Sequence, residues 1–310
     1  MSISVIVPIY NESENIQNFL DRIIPVLEKI KVEYEIIFIL DPSKDNSEEI
    51  LLRILKTNSK IKLIKLSRRF GQPAATLAGI HHAKLDNLVF IDVDLQDPPE
   101  IIDKMYKLSK EGYDTVLAKR VKKRGENPIR NLISKIGYFL IHKLSDTNIP
   151  ENVGEFRLIT RRVCDEMLKI NEADFFLRGI NSFIGFSYKI IEFDRDPRIN
   201  GTTKYNKFTG SLKIGLNGIF SFSTKLLHLI TILSSLSFLF SFIIFVLYLV
   251  LTSLKLFLFK YQFFIIILIL LVSSLIFFSL GIIAEYLARL VPDIKRRPIY
   301  IIDKKYNFEK

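Results

Sequence analysis

The sequence predicts an α/β domain on a largely parallel sheet, followed by two membrane-spanning helices. Three observations predict it. Short apolar runs alternate with helix-period segments over the first 120 residues. No Asp, Glu, Lys or Arg occurs from Leu226 to Leu254 or from Tyr261 to Ala284, stretches of 29 and 24 residues. Finally, polar residues suited to chemistry gather just after the apolar runs.

The elements follow in order. SVIVPIY, EYEIIFIL, IKLIKLS and NLVFIDVD read as strands. ESENIQNFLDRIIPVLEKI, NSEEILLRILKTN, the segment after Gln72 and PEIIDKMYKLSKEG read as helices between them. This alternation implies parallel strands joined by crossover helices in an α/β sandwich. Ligands in such sheets sit beyond the carboxyl ends of the strands. There the sequence places Tyr10, Asn11 and Glu12, then Asp41, then Arg68 and Arg69, then Asp92 and Asp94. The two arginines suit either a nucleotide contact or a surface salt network.

The fourth run, FIDVDLQDPPE, sets Asp92, Asp94, Asp97 and Glu100 close together. Neighbouring carboxylates repel, so they are either solvated in a loop or gathered around a cation. Asp92 and Asp94 are spaced to share one ion. Magnesium or manganese takes one or two carboxylates and completes its shell with water and phosphate oxygens. The four histidines have no ligand spacing, and the single Cys164 forbids an internal disulfide.

A helix needs about 20 apolar residues to cross a bilayer, so both uncharged stretches suffice; buried core helices are the alternative. Between them lie only Lys255 and Lys260, whereas Arg198–Lys225 carries five basic residues and Glu285–Lys310 seven. The positive-inside tendency puts both termini in the cytoplasm, making this a two-span cell-membrane protein with an extracytoplasmic hairpin loop. The amino terminus lacks the basic region and cleavage site of a signal peptide.

The expected division is a cytosolic domain over 1–210, a juxtamembrane amphipathic segment over 211–228, the two spans over 229–284 and a basic tail over 285–310. Residues 127–146 carry an apolar face suited to a headgroup boundary or to packing on the sheet. The net charge of +11 answers anionic lipid or a phosphorylated ligand; no nucleic-acid-binding pattern is present. Ser234, Ser235, Ser273 and Ser274 suit helix contacts, and a homo-oligomer is open.

SVIVPIYNESENI, LSRRFGQPAATLAGIHHA, FIDVDLQDPPE, NVGEFRLITRRV, RINGTTKY and IIAEYLARLVPDIKRRPIYII occur in that order. Together they resemble the membrane-anchored polyprenyl-phosphate glycosyltransferases of glycosyltransferase family 2, which include bactoprenol glucosyltransferases and relatives of dolichol-phosphate mannosyltransferase. The resemblance spans nearly the whole chain. It implies a GT-A fold and inverting transfer of one sugar from a nucleotide sugar, UDP-glucose or similar, to a polyprenyl phosphate such as undecaprenyl phosphate. Pro8, Tyr10, Glu12, Asp41, Gln72 and Asp92 match the nucleotide-sugar motifs. Asp92, Asp94 and Gln96 match the motif for Mg2+ or Mn2+ and the diphosphate. Arg120, Arg130 and Ser134, with Arg198, Lys204 and Tyr205 of a lid-like basic loop, resemble the set that holds the acceptor phosphate.

Two departures stand out. Many relatives carry DDGSxD where this chain has LDPSKD, with Leu40 and Pro42 replacing an acid and a glycine. Many carry GDFRL where this chain has Glu155 in GEFRL. A phosphate monoester has a second pKa near about 6 and is already mostly dianionic. The resemblance therefore gives Glu155 an orienting or weak base role beside the catalytic Asp94, or else a structural pairing with Arg157 or Arg161. The rival readings are a catalytically silent membrane scaffold and a processive polysaccharide synthase. The synthases carry a QxxRW motif, and this chain has no Trp.

Overall fold

The computed structural model describes residues 2–121, 150, 153–170, 172, 177–196, 225–254 and 261–308. Arg130, Ser134, Arg198, Lys204 and Tyr205 lie outside them. So do the amphipathic stretch 127–146, most of 211–228, and Lys255 and Lys260.

One eight-stranded sheet organises the domain. Its strands are β1 (Ile3–Ile9), β2 (Tyr34–Leu40), β3 (Ile61–Leu66), β4 (Asn87–Phe90), β5 (Thr115–Arg120), β6 (Val153–Thr160), β7 (Tyr188–Phe193) and β8 (Ile302–Tyr306). Their spatial order is β7-β5-β6-β4-β1-β2-β3-β8. β1 pairs in parallel with both β2 and β4, β2 with β3, and β5 with β7. β6 runs antiparallel between β4 and β5, and β8 runs antiparallel along β3.

Helices cover both faces. α1 (Ser13–Ile30), α2 (Ser47–Leu55) and α4 (Ile101–Lys110) close one core, and α3 (Gln72–His82), α5 (Arg161–Met167) and α6 (Leu177–Ile184) the other. α1 buries Ile16, Phe19, Leu20, Ile23 and Leu27, a helical stripe against β1 and β2. β1 and β2 are buried on both faces, hence their unbroken apolar runs. α3 crosses β1 and β2 so closely that a Cβ on Gly79 would overlap Ile6 Cγ2 and lie 2.9 Å from Ile39 Cδ1.

Beyond the sheet lie α7 (Lys225–Ser253) and α8 (Tyr261–Lys295), packed against each other. Many of their described apolar side chains, including Leu236, Phe240, Phe277 and Phe278, are exposed. Among the described residues one helix, Val272–Lys295, is long and apolar enough to cross a membrane by length and composition; the apolar stretch of α7, Ser235–Ile244, is shorter. The stretch expected as a basic tail over 285–310 begins as the last turns of α8 and includes β8, the edge strand beside β3.

Candidate active site

The expected side chains meet at the edge where β1, β2, β3 and β4 end. Pro8 is half-buried in β1 opposite Ile39. The next residues are stapled to the loop after β2. The Asn11 amide donates to Ser43 Oγ (3.0 Å), Glu12 to Ser47 Oγ (3.0 Å) and Ser13 to Asp45 Oδ2 (2.9 Å), while Asn11 Oδ1 accepts the Lys44 amide (2.7 Å). The SKDNS stretch therefore builds the wall behind Tyr10 and Glu12. Arg69 lies 3.9 Å above the Tyr10 ring and Arg68 stacks on Phe70.

Asp41 is buried, and its two carboxylate oxygens accept the amides of Phe70 (3.0 Å) and Gly71 (2.9 Å). It thereby shapes the loop after β3, where Gly71 takes a φ of +92°. The next residue, Gln72, opens α3 and donates to Asp92 Oδ1 at 2.8 Å.

β4 stops at Phe90, four residues short of Asp94, where the strand expected over NLVFIDVD ends. The chain then turns through Leu95, with φ +57°, and Asp94 Oδ1 accepts the Gln96 amide at 3.2 Å. The turn frees both acids from the strand's alternation, which would have kept them in the sheet. Asp94 and Asp97 are buried and Asp92 is half-buried in the cleft. Burial, followed by the charges of Asp97 and Asp94, pushes the Asp92 carboxyl up to about 7. Burial also raises Asp97, opposed by Arg120 and Arg195.

The antiparallel β6 brings its first residues to this edge, between β4 and β5. Glu155 Oε1 accepts from Arg178 Nε at 2.8 Å, and its other oxygen lies 3.8 Å from Arg157 Nη2. Burial acts to raise the Glu155 carboxyl, but Arg178 and Arg157 outweigh it and hold the group below the usual carboxylate range. Arg157 also donates to the Gly154 carbonyl at 2.7 Å. Arg161 turns instead to the Ala83 and Leu85 carbonyls, so of the two structural partners expected for Glu155 only Arg157 approaches it.

Arg120, at the end of β5, reaches Asp97 at 3.3 Å, and Arg195 approaches the same carboxylate at 3.8 Å. Among the described residues, the Nε atoms of both arginines are buried without a hydrogen-bond partner. Two orphaned guanidinium Nε donors beside a crowded acid pair suit a diphosphate with a cation: phosphate oxygens suit the donors, and a cation would offset the burial and the neighbouring carboxylates that raise Asp92. No group of three His, Cys, Asp or Glu side chains converges as a metal cage among the described residues. Two carboxylates with phosphate and water suffice for Mg2+ or Mn2+. Sequence reasoning missed Arg178 and Arg195. The arginine pair in FDRDPRING was the available signal for Arg195; nothing local marks Arg178.

A family profile described as Glycosyl transferase family 2 matches residues 4–168. The uncharacterized glycosyltransferase YkcC of Bacillus subtilis (strain 168) is 38% identical over 99% of this chain and 94% of its own length. The SfII prophage-derived bactoprenol glucosyl transferase of Shigella flexneri is 33% identical over 99% of each chain. Among solved structures, glucosyl-3-phosphoglycerate synthase from Mycobacterium tuberculosis, in complex with Mn2+, UDP-glucose and phosphoglyceric acid, superposes with a TM-score of 0.52 at 18% identity. That match covers 71% of this chain and 79% of the other. The α/β domain thus has the GT-A-like fold that the resemblance implied.

Proposed function

The chain belongs to glycosyl transferase family 2 and is a glycosyltransferase, and from that premise we propose that it transfers one sugar, with inversion, from a nucleotide sugar to polyprenyl phosphate at a membrane surface. The acceptor is argued from the bactoprenol glucosyl transferase relatives, 33% identical over nearly the full chain. The observation that carries the donor chemistry is the pair of orphaned Arg120 and Arg195 donors beside Asp92 and Asp94.

Asp92, Asp94 and Gln96 would hold Mg2+ or Mn2+. When bound, the ion offsets charge growing on the departing nucleoside diphosphate. Tyr10 and Glu12, backed by the Ser43–Ser47 wall, border the nucleotide, and Asp41 sets the Phe70–Gly71 backbone beside it. Gln72 orients Asp92 through its amide. Arg120 and Arg195 present guanidinium forks to phosphate oxygens. Glu155 stays ionised against Arg178 and Arg157, which makes it a poor proton acceptor and an effective orienting anion. The incoming phosphate oxygen is already charged and needs little base. Arg130, Ser134, Arg198, Lys204 and Tyr205 are assigned to the acceptor phosphate on the resemblance alone.

Two membrane crossings are supported by parity. β8 lies in the same sheet as β3, so the chain returns to the side it left, and any crossings before Ile302 are even in number. α8 supplies one, and the packed, 29-residue α7 the other. At about 1.5 Å per residue, α8 also outruns a bilayer core of about 30 Å. Its last turns, from Glu285 to Lys295, then stand in the cytosolic interface.

A panel of UDP- and GDP-sugars incubated with purified protein and undecaprenyl phosphate tests the proposal. One donor should give a chloroform-soluble labelled product. Label that stays aqueous with every donor would overturn the acceptor assignment.

A further inference from the structure

The end of the membrane helix is tied by backbone to the loop that shapes the donor site. α8 stops at Lys295, where Arg296 takes a left-handed φ of +48° and donates its amide to the Asp293 carbonyl. Six residues later the chain pairs with β3, from Leu66 opposite Ile302 to Leu63 opposite Tyr306. Just before that ladder, the Ile301 carbonyl accepts the Ser67 amide at 2.9 Å. Ser67 is the first residue of the loop whose Phe70 and Gly71 amides grip Asp41, and whose next residue, Gln72, holds Asp92.

The far end of β8 is fastened as well. Asn307, at a φ of +60°, donates its side-chain amide to the Ile61 carbonyl at 2.9 Å and the Leu55 carbonyl at 3.1 Å, locking the chain over the α2–β3 turn. Phe308 meets the His82 ring edge-on at the end of α3, the helix that Gln72 opens. β8 itself is short, with Asp303, Lys304 and Lys305 exposed, and its apolar anchorage is confined to half-buried Ile302 and Tyr306 and the flanking Ile299, Tyr300 and Phe308, which rest on the two cores. Asn307 adds to the edge ladder and this partial packing the side-chain bonds that hold the end of the strand to the α2–β3 turn.

We propose that the returning strand β8, latched by Asn307, is a positioning element for the donor site that couples the seating of the membrane helix to the geometry of the Ser67–Gln72 loop. The strand touches no substrate; it acts through Ser67 on the backbone that Asp41 and Gln72 use. The kinetic half of this inference rests on the nucleotide-sugar reading above, whereas the structural half does not.

The test uses the full chain in detergent or nanodiscs with two variants. Asn307→Asp replaces the donor by an acceptor facing carbonyls, and Asn307→Gly keeps the positive φ without any donor. Amide exchange should quicken at Ser67, Phe70 and Gly71 in both variants while β1 and β4 keep their protection. The KM for the nucleotide sugar should rise by roughly five-fold or more, the order expected when one backbone-fixing hydrogen bond is lost, with the KM for polyprenyl phosphate unchanged. A merely structural latch would lower the active fraction and leave both KM values alone. Unchanged exchange at Phe70 and Gly71 while that of β8 quickens, or an unchanged donor KM where the wild type turns over, overturns the proposal. If the wild type uses no nucleotide sugar, the function reading fails instead, and the exchange measurement still decides the coupling.

Discussion

Glu155 shows how one carboxylate can be kept from acting as a strong base. Its oxygens face Arg178 and the buried Arg157, and their charges outweigh the upward push of burial. A depressed carboxyl contributes stability that is present above its unfolded value, near 4.5, and disappears as pH falls through the folded one. Glu155→Gln should therefore be less stable than the wild type at pH 7, by on the order of 1 kcal/mol, with the gap narrowing as pH falls below the unfolded value and through the depressed folded one. Thermal melts of both proteins across pH 3 to about 8 check this. In the same variant, turnover should fall only moderately, because the acceptor phosphate brings its own charge. A collapse of turnover with a bell-shaped profile would instead make Glu155 a required base.

β6 decides how the site is assembled, because its antiparallel entry between β4 and β5 delivers Gly154 and Glu155 to the same edge as Asp92 and Arg120. Gly154 is needed for space: a Cβ there would sit 2.8 Å from Arg120 Nη2. That neighbour is the tip of a flexible side chain, so Gly154→Ala should fold normally while pushing Arg120 off Asp97. Transfer should drop by about ten-fold or more, the factor attached to a displaced charged hydrogen-bond donor, with less than about 1 kcal/mol lost in denaturant unfolding. The first four strands and their helices were legible because their periods are local. The acidic turn was legible as a cluster, but its strand end was misplaced, since a positive φ at Leu95 leaves no trace in hydropathy. β8 read as a basic tail because an edge strand pairs through backbone and keeps its lysines in solvent. Arg178 was hidden for a related reason: α6 carries it from the far side of β6, and only the fold sets it against Glu155.

At the scale of the whole molecule, the chain leaves the sheet after β7, passes through α7 and α8, and re-enters it as β8. That closed path fixes the tail and the site on one side of any membrane the helices cross. The natural Cys164 is buried and its thiol is pushed up to about 11, chiefly by burial, so it should stay silent toward maleimides near neutral pH. In intact spheroplasts an impermeant reagent should then label a single cysteine introduced at Lys260 and spare one introduced at Lys304, which reacts only after permeabilisation. Labelling of both cysteines in intact spheroplasts, or of both only after permeabilisation, would rule out the paired crossing.

The proposed reaction has Asp92 and Asp94 holding a divalent cation while a sugar moves from a nucleotide to a lipid phosphate. The most direct measurement follows transfer of labelled sugar to undecaprenyl phosphate by purified protein as EDTA and then Mg2+ or Mn2+ are added, alongside Asp94→Asn. Chelation should stop transfer, the cation should restore it, and Asp94→Asn should stay nearly inactive at any cation concentration. Transfer that continues in EDTA, or that Asp94→Asn carries out at the wild-type rate, would contradict the proposed reaction.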